Sequence, residues 1–365
     1  MKILMVGWGA EPDISGGMDI HTSQISECLT KAGHNVRLFV PAFSETSSSR
    51  TDIEKIHVGE KPGTLAQVIL FVEEYNRKVF SFAKQDYFDI IHTHDWIGAE
   101  AGYRIQQKLG KKWVHTVHSL EYMRSCNLGA GKSRIEMLEE LAVRGADTLI
   151  TVSKFMQKEI AEKYGLDANV IYNAASVSET GVKKNICRDK ARILFAGRLA
   201  EQKGLKYLIY SAKDVLKSVP DAKFVIAGAG NLREPLEEFV KSLGISKHVQ
   251  FTGFVNREQL VQEYQKAALF VSPSVYEPFG ITMLDAAVLG APIIAARKTG
   301  ALELFGTGSV AVVAPENAKD ISKAVVALLG DGSARDEMAK KALEDVQKIK
   351  TWAELSKETA VLYPL

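Results

Sequence analysis

"KILMVGWGAEPDISGGMDIHTSQISECLTKAGHNVRLFVP", residues 2–41, is the stretch from which the fold class is read. An apolar run from Ile3 to Val6 ends on Gly7 and Gly9. After Gly16 and Gly17 the apolar residues recur at helical spacing, through Ile20, Ile25, Cys28 and Leu29. "NVRLFVP" then returns to an extended pattern. Strand, helix and strand in so short a span make a parallel βαβ unit.

The pattern repeats along the chain. "FDIIHTHD" (88–95) and "KKWVHTVH" (111–118) read as strands around a helix over 96–110. A Gly-rich stretch (125–134), a helix over 135–146 and a strand over 147–153 follow. A second series starts at 191. Strands over 191–199, 222–230, 249–255, 268–274, 291–297 and 309–315 alternate with helices over 204–219, 232–244, 257–267 and 280–290. Two tandem α/β domains are expected, with the seam in the polar, aperiodic stretch 173–190. The boundaries read 1–175 and 176–348, with a helical tail, 349–365, returning to the first domain. Residues 43–64, with "SETSSSRTD" and "GEKPG", read as an exposed connection, either a tolerated surface loop or a functional lid.

A chain of 365 residues exceeds what one core usually serves. Hydrophobic residues at 46% and charged residues at 25% are those of a soluble globular protein. Lys+Arg 46 against Asp+Glu 44 leaves +2, which excludes a strong general field for nucleic acid. The three cysteines, Cys28, Cys126 and Cys187, form no CxxC pair. That argues against a zinc or disulfide framework and for a reducing, cytoplasmic compartment. The first residues do not read as a signal peptide, and no apolar run approaches the ~18 residues of a membrane span. Peripheral membrane contact stays open, and oligomeric state leaves no signal.

Ligands of open parallel sheets bind beyond the carboxyl ends of the strands. Polar residues and glycines gather at those ends: Gly7, Gly9, His94, Asp95, His118, Arg198, Gly228, Gly230, Gly253 and Glu277. Two such rims facing one another would form a cleft. Gly16 and Gly17, ahead of a helix, let backbone N–H groups approach an anion. "GWGAEPD" is not a dinucleotide fingerprint, and no P-loop occurs. In "GRLAEQKGL", Arg198 immediately follows a strand and Lys203 sits just before a helix. They read as a solvated basic pair or as two cations on one diphosphate. His92 and His94 share one strand face, and His115 and His118 end the next strand. Four histidines allow a metal site or hydrogen bonding within the sheet. No further metal-ligand pattern follows, so no metal is expected. His92 and His115 are expected inside the sheet, and His94 and His118 at the rim. A neutral His118 would hydrogen-bond a sugar hydroxyl.

"YEPFGITMLDA" (276–286) carries two carboxylates, Glu277 and Asp285. Pro278 ends the extended chain, and Gly280 allows a sharp turn into a helix from Ile281. The N–H groups of its first turn, through Thr282, make an anion site. Ile281, Leu284, Val288 and Leu289 form its buried face, with Asp285 flanking them. Two carboxylates would repel a diphosphate, so they suit sugar and ribose hydroxyls.

Taken together, "SGG", "HTHDW", "TVHSLE", "ADTLITVS", "IYNA", "GRLAEQKGL", "GAG", "FTGFV" and "EPFGITMLDA" resemble the retaining glycosyltransferases of family 4, over nearly the whole chain. Glycogen synthase-like enzymes of bacteria and archaea are the most similar branch. The resemblance implies the GT-B fold, two Rossmann-like α/β/α domains across a cleft. The first would bind the acceptor and the second the nucleotide sugar. It implies a nucleotide sugar donor, a carbohydrate acceptor and no cofactor. Arg198 and Lys203 would hold the donor diphosphate, and Glu277 the sugar hydroxyls. His118 would lie beside the transferred sugar. Gly17, with Gly16, would offer backbone to the phosphates, and Gly280, Ile281 and Thr282 would complete their site. Gly228, Gly253 and Phe254 would pass along the nucleotide, while Asp95 and Trp96 would face the acceptor. Asp285 stands where the family has a ribose-binding glutamate. "IYNA" replaces "IYNG", and "DISGG" lacks the lysine of longer glycogen synthases. Mannosyl- or glucosyltransfer to a lipid or small acceptor is the other reading.

Overall fold

The computed structural model describes residues 1–10, 14, 16–42, 50, 52–60, 62–125, 133–177 and 188–364. Much of the connection at 43–64, most of the Gly-rich stretch 125–134 and of the linker 173–190, and Cys126 and Cys187, lie outside the described residues. The chain forms two compact units. One takes Met1–Met123, Asn127–Asn173 and Lys350–Leu365; the other takes Ala174–Ile349 with Arg124–Cys126.

In the first unit, β1 (Lys2–Val6), β2 (Asn35–Pro41), β3 (Ile53–Ile56), β4 (Ile90–His94), β5 (Lys112–Val117), β6 (Thr148–Thr151) and β7 (Asn169–Val170) form one sheet. Its order is β3-β2-β1-β4-β5-β6-β7, and every pairing is parallel. In the second, β8 (Arg192–Ala196), β9 (Lys223–Ala227), β10 (Val249–Gly253), β11 (Leu269–Ser272), β12 (Ile293–Ala296) and β13 (Val310–Val313) are ordered β10-β9-β8-β11-β12-β13, again parallel. Each sheet therefore reverses its winding once, between β1 and β4 and between β8 and β11. The crevice beyond the carboxyl ends at such a point is where α/β sheets bind ligands.

Among the described elements that the sequence reading passed over are β3, β7 and the helices Leu65–Ala83 and Lys154–Tyr164. β3 lies inside the stretch read as a connection. Its residues, Ile-Glu-Lys-Ile, mix charge with apolar side chains, as suits a sheet edge. A helix over Leu65–Ala83 follows, set by a capping box in which Thr64 and Gln67 satisfy each other's backbone. Its Leu65 and Leu70 are exposed, which blurs the apolar stripe. No helix among the described residues is long and apolar enough to cross a membrane.

The core of the first unit is built against Trp113 on β5. The ring is fully buried, and its Nε1 donates to Thr93 Oγ1 at 2.7 Å. Two helices, Ala99–Leu109 and Arg134–Gly145, reach it through glycines. A Cβ on Gly102 would lie 2.2 Å from the indole, and one on Gly145 2.9 Å. The tail helix, Trp352–Val361, belongs to this unit. Trp352 meets His21 edge-on, and the Tyr363 hydroxyl lies 3.0 Å from His92 Nδ1. In the second unit the half-buried Arg188 guanidinium donates to the carbonyls of Ala267, Leu289 and Gly290, pinning two connections at once. Gly102→Ala is expected to cost about 1–3 kcal/mol, because a packed indole must shift to admit the methyl. Urea denaturation monitored by tryptophan fluorescence reads the loss; an unchanged midpoint would refute this packing.

Candidate active site

The second unit assembles its polar residues where β8 and β11 end. Past β8, Gly197 has φ 153° and Arg198 stands exposed. A short turn, Glu201–Lys203, ends on Gly204 with φ 64°. A Cβ there would lie 2.1 Å from the Pro273 carbonyl oxygen, so only glycine lets this loop press on the chain leaving β11. Gln202 O accepts Val275 N at 2.8 Å across the same junction.

That contact brings Lys203 to Glu277. Lys203 Nζ lies 2.6 Å from Glu277 Oε2, and Ser274 Oγ donates to the same oxygen at 3.1 Å. Glu277 is only 8% exposed, and its backbone is pinned as a parallel bridge to Thr299. Gly280, at φ 105°, turns the chain into the helix Ile281–Val288; a Cβ on it would lie 3.2 Å from Glu277 Cγ. No side chain caps that helix start, which leaves room for an anion at Ile281 and Thr282. The structure thus joins Lys203, Glu277 and Gly280. It adds Ser274, which the sequence reading passed over although it too is a polar residue just past a strand.

The glycines expected at the nucleotide carry structural demands of their own. A Cβ on Gly228 would lie 1.9 Å from the Gly197 carbonyl oxygen, so the ends of β8 and β9 could not meet. Gly253 closes β10 at φ 74°, and its carbonyl accepts Gly228 N at 2.9 Å. The next residue, Phe254, is 71% exposed, a large apolar side chain presented at the strand end.

Asp285, expected to flank the apolar face of its helix, is itself buried. Its carboxylate accepts Ser176 N and Ser176 Oγ, both at 2.7 Å, and Val177 N at 3.3 Å. Arg257 donates to Ser176 O beside them. Burial pushes the Asp285 carboxyl from 3.8 up to about 6, against the opposing pull of the Ser176 and Val177 donors. In this structure Asp285 fastens Ser176 and Val177 to the helix.

In the first unit, Asp95 follows β4 at φ 48°, a conformation that non-glycine residues seldom adopt. Its carboxylate accepts His118 N at 2.7 Å, Ser119 N at 3.2 Å and Ser119 Oγ at 3.3 Å. Asp95 therefore positions the turn that carries His118. Trp96 sits in the apolar core of this unit and is nearly covered. Gly16 is exposed and precedes the helix Gly17–Lys31, whose start has no side-chain cap. His94 is not at an open rim, as its strand-end position implied. It is fully buried, stacked on His92, with Nδ1 3.0 Å from His118 Nε2. His92 and His115 lie within the sheet, bonded to Tyr363 and Thr116 and to Thr93 respectively. Burial holds His94 and His118 well below the ordinary histidine value, and the neighbouring imidazoles add to it. His21, which the sequence reading missed, completes the group. It falls on the apolar stripe of its helix, four residues before Ile25, and that was the available signal.

With this geometry in hand, the relatives are informative. Residues 15–179 match the family described as Glycosyltransferase Family 4, and residues 178–345 the one described as Glycosyl transferases group 1. An uncharacterized glycosyltransferase of Methanocaldococcus jannaschii is 31% identical over the whole of this chain and 98% of its own length. The chain belongs to these glycosyltransferases and has the GT-B fold. A glycogen synthase of Mycobacterium tuberculosis is 27% identical over 100% of this chain and 94% of its own. A D-inositol 3-phosphate glycosyltransferase of Pseudarthrobacter chlorophenolicus is also 27% identical, over 90% and 85%. The solved sucrose-phosphate synthase of Thermosynechococcus elongatus superposes with a TM-score of 0.86 at 20% identity, covering 99% of this chain and 98% of that one.

The Asp285 carboxyl gives a pH prediction. Its folded-state value lies above the unfolded one, so the folded state holds the proton more tightly. The stability this gives is fully present below about pH 4 and is lost as pH rises through 6. The loss is about 3 kcal/mol. The stability difference between the wild type and Asp285→Asn should therefore shift by about that amount between pH 4 and pH 7. Urea titrations at stepped pH measure it, and a difference constant across that window contradicts the buried carboxyl.

Proposed function

We propose that this chain is a retaining hexosyltransferase that moves glucose from ADP- or UDP-glucose to an α-glucan or similar acceptor. The observation that carries the reading is the Lys203–Glu277 pair beside the uncapped helix start at Gly280. It supplies a cation for phosphate, an anion for hydroxyls and open backbone donors within one crevice. The glucan acceptor is favoured by the full-length similarity to a glycogen synthase.

In this mechanism Arg198 and Lys203, with the helix start at Ile281 and Thr282, stabilise the charge that develops on the leaving diphosphate. Glu277 turns to the donor-sugar hydroxyls, and His118 hydrogen-bonds the sugar as a neutral imidazole. Gly17, Gly228, Gly253 and Phe254 line the phosphates and the base. Asp285 reaches the ribose by exchanging its Ser176 contact, directly or through a water. The acceptor hydroxyl attacks the face the diphosphate leaves, a phosphate oxygen takes its proton, and the anomeric configuration is kept. Two cations neutralise the diphosphate, so transfer needs no metal.

Similarity to the inositol phosphate enzyme favours a second reading, with a small phosphorylated acceptor. Release of nucleoside diphosphate from ADP-, UDP- and GDP-sugars, each with glycogen, maltose or inositol phosphate, separates the two. Glycogen-dependent release, with product of the donor's anomeric configuration by NMR and no response to EDTA, is expected. Release only with the phosphorylated acceptor would move the assignment to the second reading; no release by folded protein would sink both. Lys203→Ala is expected to lower transfer about 100- to 1000-fold while the denaturation midpoint is retained, as for loss of one preorganised electrostatic group. Undiminished transfer would remove Lys203 from the diphosphate site.

A further inference from the structure

The first unit gathers His21, His94 and His118, one from a helix and two from the ends of adjacent strands. One ring nitrogen of each lies within 4.8 Å of the others, and all three residues are buried. Sequence placed His94 and His118 together but not His21, so no third ligand stood beside them. We propose that these three imidazoles are a binding site for one divalent transition-metal ion of the zinc class, which braces the helix Gly17–Lys31 against the ends of β4 and β5.

The hydrogen bonding leaves the right nitrogens for it. His21 Nδ1 lies 2.7 Å from Asn173 Oδ1, which can only accept, so the ring carries its proton there and Nε2 keeps a lone pair. A metal-bound histidine commonly has this partner on its other nitrogen. His94 Nδ1 and His118 Nε2 face each other at 3.0 Å and share one hydrogen. His94 Nε2 is buried and has no hydrogen-bond partner. Moving the shared hydrogen to that nitrogen, or to His118 Nδ1, frees both facing lone pairs. The three rings can then bind as neutral ligands with no net loss of a proton. Zinc–nitrogen bonds of about 2.0–2.1 Å place ligand nitrogens closer together than 4.8 Å, so binding would draw the three rings inward. Three nitrogens without a carboxylate select zinc, nickel or copper over magnesium or calcium, and a water can take the fourth position. The ion is assigned to holding this unit together. It is separate from the neutralisation of diphosphate, and nothing here depends on sugar transfer.

The test is metal binding by the full chain. Zinc is titrated against a chromophoric chelator, cobalt is followed by its visible absorption, and melting is recorded with and without zinc. One zinc per chain, cobalt bands of four-coordinate character and a raised melting temperature are expected. His21→Gln should weaken zinc binding at least about 100-fold and abolish the melting shift. Asn173→Ala, which removes only the orienting contact, should weaken it about 10- to 100-fold. His94→Gln should resemble His21→Gln. If it fails to fold, the other two variants decide. His248→Gln, in the second unit, should bind as the wild type. Absence of zinc binding by the wild type overturns the proposal, as does binding that His21→Gln and Asn173→Ala leave unchanged.

Discussion

At the carboxyl ends of the second sheet, backbone meets backbone, and the site depends on it. Gly204 lies against the Pro273 carbonyl, Gly228 against that of Gly197, and Gly230 against that of Leu199. None of the three has space for a Cβ. These contacts draw the loops after β8, β9 and β11 into one surface, and Lys203 reaches Glu277 only because of the first of them. Any side chain at these glycines would meet backbone at 2.3 Å or less and push the loops apart. The glycine content of this rim is thus a packing requirement before it is a binding one. Both uses ask for the same thing, backbone that can be approached closely.

The ion pair bears on how a buried carboxylate is tolerated. Glu277 is almost covered, and an uncompensated charge there would be costly. Lys203 and Ser274 answer it within the protein, so the arrangement stands without a ligand. Under the proposed function, a diphosphate and a sugar would offer each partner a replacement, phosphate oxygens for the ammonium and hydroxyls for the carboxylate. Exchange of one set of charge-assisted bonds for another keeps the desolvation cost of binding low.

Most strands were legible because parallel sheets bury both faces and their strands read as near-continuous apolar runs, as "KILMV" and "RILFA" do. β3 escaped because an edge strand need not read that way. The helix 65–83 escaped because two of its leucines face outward. In the site, charge was legible and company was not. Lys203 and Glu277 could be named from sequence, but their contact spans 74 positions. Asp285 was expected at the helix flank, yet its partner Ser176 lies 109 positions away in the chain. His21 shows the same limit: periodicity puts it on a buried stripe, while only the tertiary fold says which strand ends it meets.

The two units solve their polar burial differently, and the contrast follows from the residue types each places at its rim. The second unit pairs opposite charges, Lys203 with Glu277. At the ends of β4 and β5 the first sets neutral imidazoles beside the Asp95 carboxylate, which accepts backbone N–H groups around His118. Burial removes the cost of charge on the histidines by keeping them unprotonated, and most of their nitrogens are consumed internally: His92 by Tyr363 and Thr116, His115 by Thr93, His21 by Asn173. What the sheet leaves over is small and local. It is the second nitrogen of His21 and the facing pair, His94 Nδ1 and His118 Nε2, which hold one hydrogen between them. Satisfied neighbours hold those rings in place, so the spare lone pairs are fixed in direction, and fixed lone pairs are what a ligand or an ion can use.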